Sequence, residues 1–404
     1  MSSNLNLIFS NLNYKIMNKM FFRSGSPAIA LLAFIILFVG AALFSCSKND
    51  NTTVRFYIGS YPGEDDPGIY LFEYNIPAGE FKKLQEVYGQ RNPSYLALHP
   101  EGRFLYAVNQ IADYNDENSG AVAAFSVEPN TGELSFLNRQ SSIGASPCHI
   151  SVFPGGEHVA VANYSGGSVT FLPVLSNGTL GSAVSFFQHE GSSVNERRQR
   201  GPHAHSIYPF RDGKMAIAAD LGIDKIMVYQ PDGKGGWIPG TPASFPDPEP
   251  GAGPRHIAIH PDGSWIYVVN ELNSTVTSYL YENDSFTLIE SISTLPSGFD
   301  GNNTCADIRV HPDGRYLYAS NRGHNSIAIF EISRKGALKP VGHEPVRGET
   351  PRNFNIEPSG RLLFVANQLT DNITVFNIDP RSGMLEFTGN ELSVVRPVCI
   401  EFLP

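Results

Sequence analysis

A seven-bladed β-propeller is the fold class this sequence predicts. Three observations predict it: a phrase that recurs at near-constant spacing, short strand patterns inside each recurrence, and two terminal half-copies that complete one another. The fullest form of the phrase is Pro254-Arg255-His256-Ile257-Ala258-Ile259-His260-Pro261-Asp262-Gly263. Its copies begin at Pro93, Pro147, Pro202, Pro254, Cys305, Pro351 and Pro397, so successive starts lie 46 to 55 residues apart. A period near 50 marks a solenoid, a propeller or an array.

The copy from Pro351 shows the unit. Phe354-Asn355-Ile356 is a short alternating run, and Pro358-Ser359-Gly360 is a turn signal. Leu362 to Asn367 is a second apolar run, Asn372 to Ile378 alternates with period two, and Leu385-Glu386-Phe387 follows another turn. Runs this short, rich in β-branched and aromatic residues and bounded by Gly, Pro and Asp, read as antiparallel strands. Four per unit make a propeller blade, and the want of long 3.6-residue periodicity argues against helical repeats. The seventh blade is split. Arg396 to Phe402 supplies its first strand and Val54 to Ser60 its second, with outer strands at Ile69 to Tyr74 and Phe81 to Leu84. Such a blade closes the ring and leaves few free strand edges.

The chain has 404 residues, 38 Gly, 29 Pro and a net charge of −10. The glycine and proline suit a turn-rich fold. The acidic balance, without a basic stripe, excludes nucleic acid as the expected partner. Residues 1–45 read as a targeting segment: Lys15, Lys19 and Arg23 precede an apolar run from Ala28 to Phe44. That run is shorter than the ~20 residues of a comfortable membrane span and suits a signal peptide. It ends in Leu43-Phe44-Ser45-Cys46, which resembles a bacterial lipoprotein cleavage box, with Met17 and Met20 as alternative starts. The expected organisation is therefore a lipidated Cys46, a polar tether over 46–53, and a propeller over 54–404 at the cell envelope, membrane-held through lipid and monomeric. Cys148, Cys305 and Cys399 lack metal-ligand spacing and read as small buried side chains.

In a propeller the first strand of each blade lines the central channel, and its start lies beside the end of the second strand. Two columns of residues thus meet at one mouth. Asn or Asp fills the strand-end slot in six of seven blades, at Asn109, Asn163, Asp220, Asn270, Asn321 and Asn367. Such regularity points to a structural duty. The turn histidines His99, His260 and His311 are framework for the same reason. The irregular slots carry charge instead: His203, Arg255, His256, Asp307 and Arg352 at the first-strand starts, Glu271 and Arg322 at the second-strand ends. Ionisable groups lining a narrow channel cost free energy unless they have a role. Three arginines beside acids and histidines point to an anionic substrate and acid–base chemistry, or else to an ion-pair network that plugs the channel. His205 reads as one step deeper, in line with Ile150, Ile257 and Ile308, and is equally a core histidine or a site residue. No nucleophile elbow, phosphate loop or His-Glu-x-x-His motif is present, so neither metal nor cofactor is expected.

These residues resemble the seven-bladed β-propeller lactonase family, which includes bacterial 6-phosphogluconolactonases and, more distantly, 3-carboxymuconate lactonizing enzymes. The resemblance runs from about Val54 to the end. It rests on Gly251-Ala252-Gly253-Pro254-Arg255-His256 with Val269-Asn270-Glu271, on Ala306-Asp307-Ile308 with Ala319-Ser320-Asn321-Arg322, and on Thr350-Pro351-Arg352-Asn353-Phe354-Asn355. It implies lactone hydrolysis at a polar cleft, with His203 (or His205) as the proton-transfer group, Arg255 and Glu271 as paired site residues, and Arg322 and Arg352 as anion binders. His256, Asp307 and Asn353 are expected to complete the substrate contacts. A chain that is exported departs from a cytoplasmic sugar-phosphate pathway, so the lactone chemistry carries over better than a phosphorylated substrate does. The alternatives are a non-catalytic binding propeller and a lactonizing cycloisomerase.

Overall fold

The computed structural model describes residues 52–63 and 65–404. The targeting segment and Cys46 lie outside the described residues. Among those described, the chain forms seven four-stranded antiparallel sheets and no α-helix. The closing sheet joins Pro397–Phe402 to Thr53–Ser60, which continues to Ile69–Asn75 and Glu80–Val87. Its pairing aligns Phe56 with Phe402 and Ile58 with Ile400. Phe56, Phe364 and Phe402 then pack ring to ring at centroid distances of 5.2 to 5.8 Å, sealing the last blade against its neighbour.

The recurring phrase has a physical basis. His260 Nε2 donates to the Gly314 carbonyl at 2.9 Å, and His311 Nε2 to the Gly360 carbonyl at 2.8 Å. In each case the Nδ1 accepts a backbone N–H two residues on. The histidine thus closes its own turn and reaches the turn of the next blade. Gly314 and Gly360 have φ of +77°, and a Cβ there would sit within 2.8 Å of the histidine ring, so glycine is required twice over. A second staple comes from the second strands. The hydroxyls of Tyr57, Tyr106, Tyr267 and Tyr318 donate to the carbonyls of Gly132, Gly178, Gly336 and Gly383 in the following blade.

The strand-end asparagines do the expected structural work. Asn163 Nδ2 donates to Ser142 O and Thr170 Oγ1, and Asn321 Nδ2 to Thr294 O at 2.9 Å. They tie the end of the second strand to the loop that leaves the preceding blade and, through Thr170, to the third strand of their own. Pairing registers put Pro147, Pro254 and Pro351 opposite Asn163, Asn270 and Asn367. First-strand starts and second-strand ends therefore share one face.

Candidate active site

In six of the seven blades the first strand bulges just after it begins: five skip one residue in the pairing, and in the sixth Ala306 and Asp307 together stand opposite Ser320. A bulge re-aims the extra side chain. Here the bulged residues are Cys148, His205, Arg255, Ala306, Arg352 and Val398. On the face that these strand starts share, they meet the second-strand ends. The result is an open cavity of about 320 Å3, lined by Cys148, His205 and Arg352 from the bulges, by Gln110, Tyr164, Glu271 and Arg322 from strand ends, and by Arg198 and Thr304.

His205 is the first departure from the sequence reading. Ala204, not Pro202, pairs with the strand-end Asp220, so Ala204 takes the place held by proline elsewhere. His205 then occupies the same slot as Arg255 and Arg352, and Ile207 is the true counterpart of Ile257. His203 precedes the strand. Its backbone N–H donates to Asp220 Oδ1 at 2.7 Å, its Nδ1 contacts the Tyr164 carbonyl oxygen at 3.0 Å, and its ring stacks on Tyr164 at 4.6 Å. It stands behind Tyr164 and is not among the cavity-lining residues.

Glu271 is the electrostatic centre. Arg255 Nε reaches its Oε2 at 2.9 Å, Arg322 Nη2 the same oxygen at 2.9 Å, and Arg198 Nη2 its Oε1 at 2.6 Å. Burial works against the charge, but Arg322, Arg255 and Arg198 hold the carboxyl well below the usual carboxylate range. Arg255 is itself buried and donates from Nη1 to the Ala306 carbonyl, so it supports Glu271 from beneath. Burial, reinforced by Arg322 and Arg352, lowers its guanidinium to about 10. Arg322 also donates to Cys305 O at 2.8 Å, while its Nε has no partner among the described residues. Arg352 has no carboxylate within 4.0 Å among them, and its guanidinium lies 5.4 Å from the Tyr61 ring centre. Burial and the positive charge of Arg255 push the His205 imidazole well below its ordinary range, which leaves it neutral. Cys148 Sγ lies 3.7 Å from His205 Nδ1, and burial pushes its thiol up to about 12, so it is a protonated neighbour.

His256, Asp307 and Asn353 lie beneath the cavity and do not line it. Asp307 takes His256 Nδ1 at 2.8 Å on Oδ1 and Asn353 Nδ2 at 2.6 Å on Oδ2. Asn353 Oδ1 accepts the Ile400 N–H at 2.8 Å, and Asn355 Nδ2 donates to the Ile400 carbonyl at 3.0 Å. These side chains are committed to one another and to the closing strand. The sequence reading missed Arg198 entirely: it arrives from a loop outside the repeat phase, and the basic cluster Arg197-Arg198 with Arg200 was its only signal. Gln110 and Tyr164 stood in the strand-end column without being singled out.

A larger hollow of about 530 Å3 lies at the opposite ends of the first strands. It is walled by turns such as Phe210 to Gly213 and Ile259 to Ser264, and in the second of these His260 and Asp262 are engaged in the framework hydrogen bonds.

Residues 55–402 match the family described as lactonase, 7-bladed beta-propeller. The chain is 36% identical over 350 residues to a 6-phosphogluconolactonase of Bacillus subtilis, covering 86% of this chain and 97% of that one. It is 36% identical over 305 residues to a 6-phosphogluconolactonase of Formosa agariphila, covering 74% and 85%. Among solved structures it is similar to a periplasmic gluconolactonase of Pseudomonas aeruginosa, with a TM-score of 0.81, 31% identity, and coverage of 87% and 99%. With the match spanning every blade, the chain belongs to the seven-bladed β-propeller lactonase family and is a lactonase.

Proposed function

We infer that this lactonase hydrolyses a sugar-derived, anionic lactone in the cavity around Glu271. The observation that carries the reading is the pairing of a neutral histidine, His205, with Arg322 and with Arg352, which has no carboxylate partner among the described residues, in one solvent-open pocket. Water attacks the ring carbonyl carbon, and His205 accepts its proton. Arginine N–H groups stabilise the negative charge that develops on the carbonyl oxygen. The ring C–O bond then breaks, and the proton returns to the departing alkoxide, giving the hydroxy acid. Before substrate arrives, burial and then Arg255 depress the basicity of His205. An anionic substrate offsets that positive field and raises the basicity on binding. Glu271, ionised and held by three guanidiniums, serves as the pillar that keeps them in place.

A panel of aldonolactones, phosphorylated and not, tests the reading. Turnover should be lost in His205→Ala, and the preference for anionic lactones should be reduced in Arg352→Gln. No turnover on any lactone, or full activity in both variants, sinks it. The 6-phosphogluconolactonase relatives support a sugar lactone as substrate. Placement at the cell envelope through Cys46 is part of the same proposal, supported by the signal-like segment and the periplasmic P. aeruginosa neighbour. Cys46→Ser should release the protein from the detergent phase.

A further inference from the structure

We propose that Asp224 is a positioning residue that sets Arg198 over the cavity by tying two loops to one carboxylate. The proposal rests on the cavity being the lactone site. Asp224 follows the second-strand end at Asp220, buried and in the left-handed region with φ of 53°. A carboxylate only accepts hydrogen bonds, at about four lone-pair positions. All four are filled. Ser193 Oγ donates to Oδ2 at 2.5 Å and the Gly251 N–H to Oδ2 at 2.7 Å. Gln199 Nε2 donates to Oδ1 at 2.8 Å and the Gly253 N–H to Oδ1 at 2.7 Å.

These donors come from two segments far apart in sequence. Ser193 and Gln199 belong to the loop that precedes Ala204–Phe210. Gly251 and Gly253 belong to the loop that enters Pro254–Ile259, whose second residue is Arg255. Within the first loop the Ser193 N–H donates to Gln199 O at 2.9 Å, and Asn195 Oδ1 accepts the N–H groups of Arg197 and Arg198, each at 3.1 Å. Gln199 is fully buried. Arg198 is therefore carried by a loop, yet its Nη2 meets Glu271 Oε1 at 2.6 Å and Tyr164 Oη at 3.1 Å. A side chain on a loop reaches such geometry reproducibly only where packing and hydrogen bonds lock its support. Without the Asp224 link the cost of ordering that loop would fall on substrate binding and appear in KM. Asp224 thereby couples Arg198 above Glu271 to Arg255 below it.

Asp224→Asn turns one acceptor oxygen into an amide that faces two donors. KM for an anionic aldonolactone should rise at least fivefold, with a smaller change in kcat, and hydrogen exchange should quicken over 191–201 and 249–253. In an Arg198→Gln background the same substitution should change KM less than twofold, because both act on one contact. If Asp224→Asn does not fold, Ser193→Ala carries the test. It removes one bond on the loop side, so exchange should quicken over 191–201 alone and KM should rise more modestly. An equal KM effect in both backgrounds, or unchanged exchange over 191–201, overturns the proposal. Absence of lactone turnover by the unaltered protein would count against the site itself, while the exchange measurement would still decide the role of Asp224.

Discussion

His205 stands in the bulge slot of its first strand that Arg255 fills in the next blade. One structural lever, the extra residue of a bulge, thus places a neutral imidazole in the cavity that Glu271 lines and a guanidinium against the Glu271 carboxylate. Burial and then the Arg255 guanidinium depress the imidazole, while Arg322 and Arg255 hold Glu271 ionised against its own burial.

That relationship separates the two histidines that the sequence leaves as alternatives. His205→Ala should lower kcat/KM by about 100-fold or more, the range expected for a group that transfers a proton in the transition state. His203→Ala should cost less, on the order of tenfold, through the lost stack on Tyr164. Steady-state kinetics on one substrate decides it, and a larger effect at His203 would move the base to the outer position.

Stability should fall as the solution is acidified from neutrality. Burial, above all, holds His149, His205 and His256 well below their ordinary range, so all three stay neutral in the folded chain. Unfolded, they take up protons as pH drops below ~6.5. Glu401 acts in the opposite sense: burial pushes its carboxyl up to about 7, so the folded chain binds a proton that the unfolded chain does not take until near pH ~4.3. Three protons favouring unfolding against one favouring folding leave two. The unfolding free energy should therefore drop by up to about 2.7 kcal/mol per pH unit between roughly pH 6 and 5. His149→Gln should halve that slope, and a flat profile would mean the histidines are charged in the fold.

Arg255 and Arg352 occupy equivalent slots but should respond differently to the same change. Arg255 is buried and divides its donors between Glu271 and the Ala306 carbonyl. A lysine has one ammonium and no planar fork to serve both. Arg255→Lys should cost about 3 kcal/mol of stability as well as activity, since it leaves a buried acceptor poorly paired. Arg352→Lys, at a half-buried position over Tyr61, should leave the denaturant midpoint nearly unchanged and lower kcat/KM about tenfold. Identical stability effects at the two sites would contradict this division of labour.

Much of the architecture is legible because its causes are local. His-Pro-Asp-Gly turns, strand-end asparagines and alternating apolar runs each carry their chemistry within a few residues, and the period exposes them. The face on which Glu271, Arg322 and Arg352 gather follows from strand direction alone. Pairs such as Arg255-His256 and Arg352-Asn353 read as one column, yet successive strand residues point in opposite directions. The bulged member turns to Glu271 or the cavity, and the next member, His256 or Asn353, turns into the packed axis. The His203–His205 shift was hidden because Ala204 replaces proline at the pairing position. Arg198 was hidden because loop conformation has no period.

Asn353 is where the site and the closure of the ring meet. Its amide accepts the Ile400 N–H and donates to Asp307, and Asn355 takes the Ile400 carbonyl. Ile400 lies in Pro397–Phe402, the strand that completes the last blade, and is fully buried. Asn353→Ala therefore removes one bond to the closing strand and one to a buried carboxylate. It should destabilise the protein by about 2–3 kcal/mol, counting the acceptor and donor left unpaired. Its effect on KM should stay within about twofold. Deleting residues 396–404 removes the same contacts together with the Ile400 and Phe402 side chains, each worth roughly 1.5–3 kcal/mol of burial. It also strips the partner from the inner edge of Thr53–Ser60. The truncated chain should lose its cooperative thermal transition, because each blade relies on its neighbours. A deletion that melted like the full chain would show that the ring is held closed elsewhere. An Asn353→Ala variant with unaltered stability and a large rise in KM would place that amide in contact with substrate.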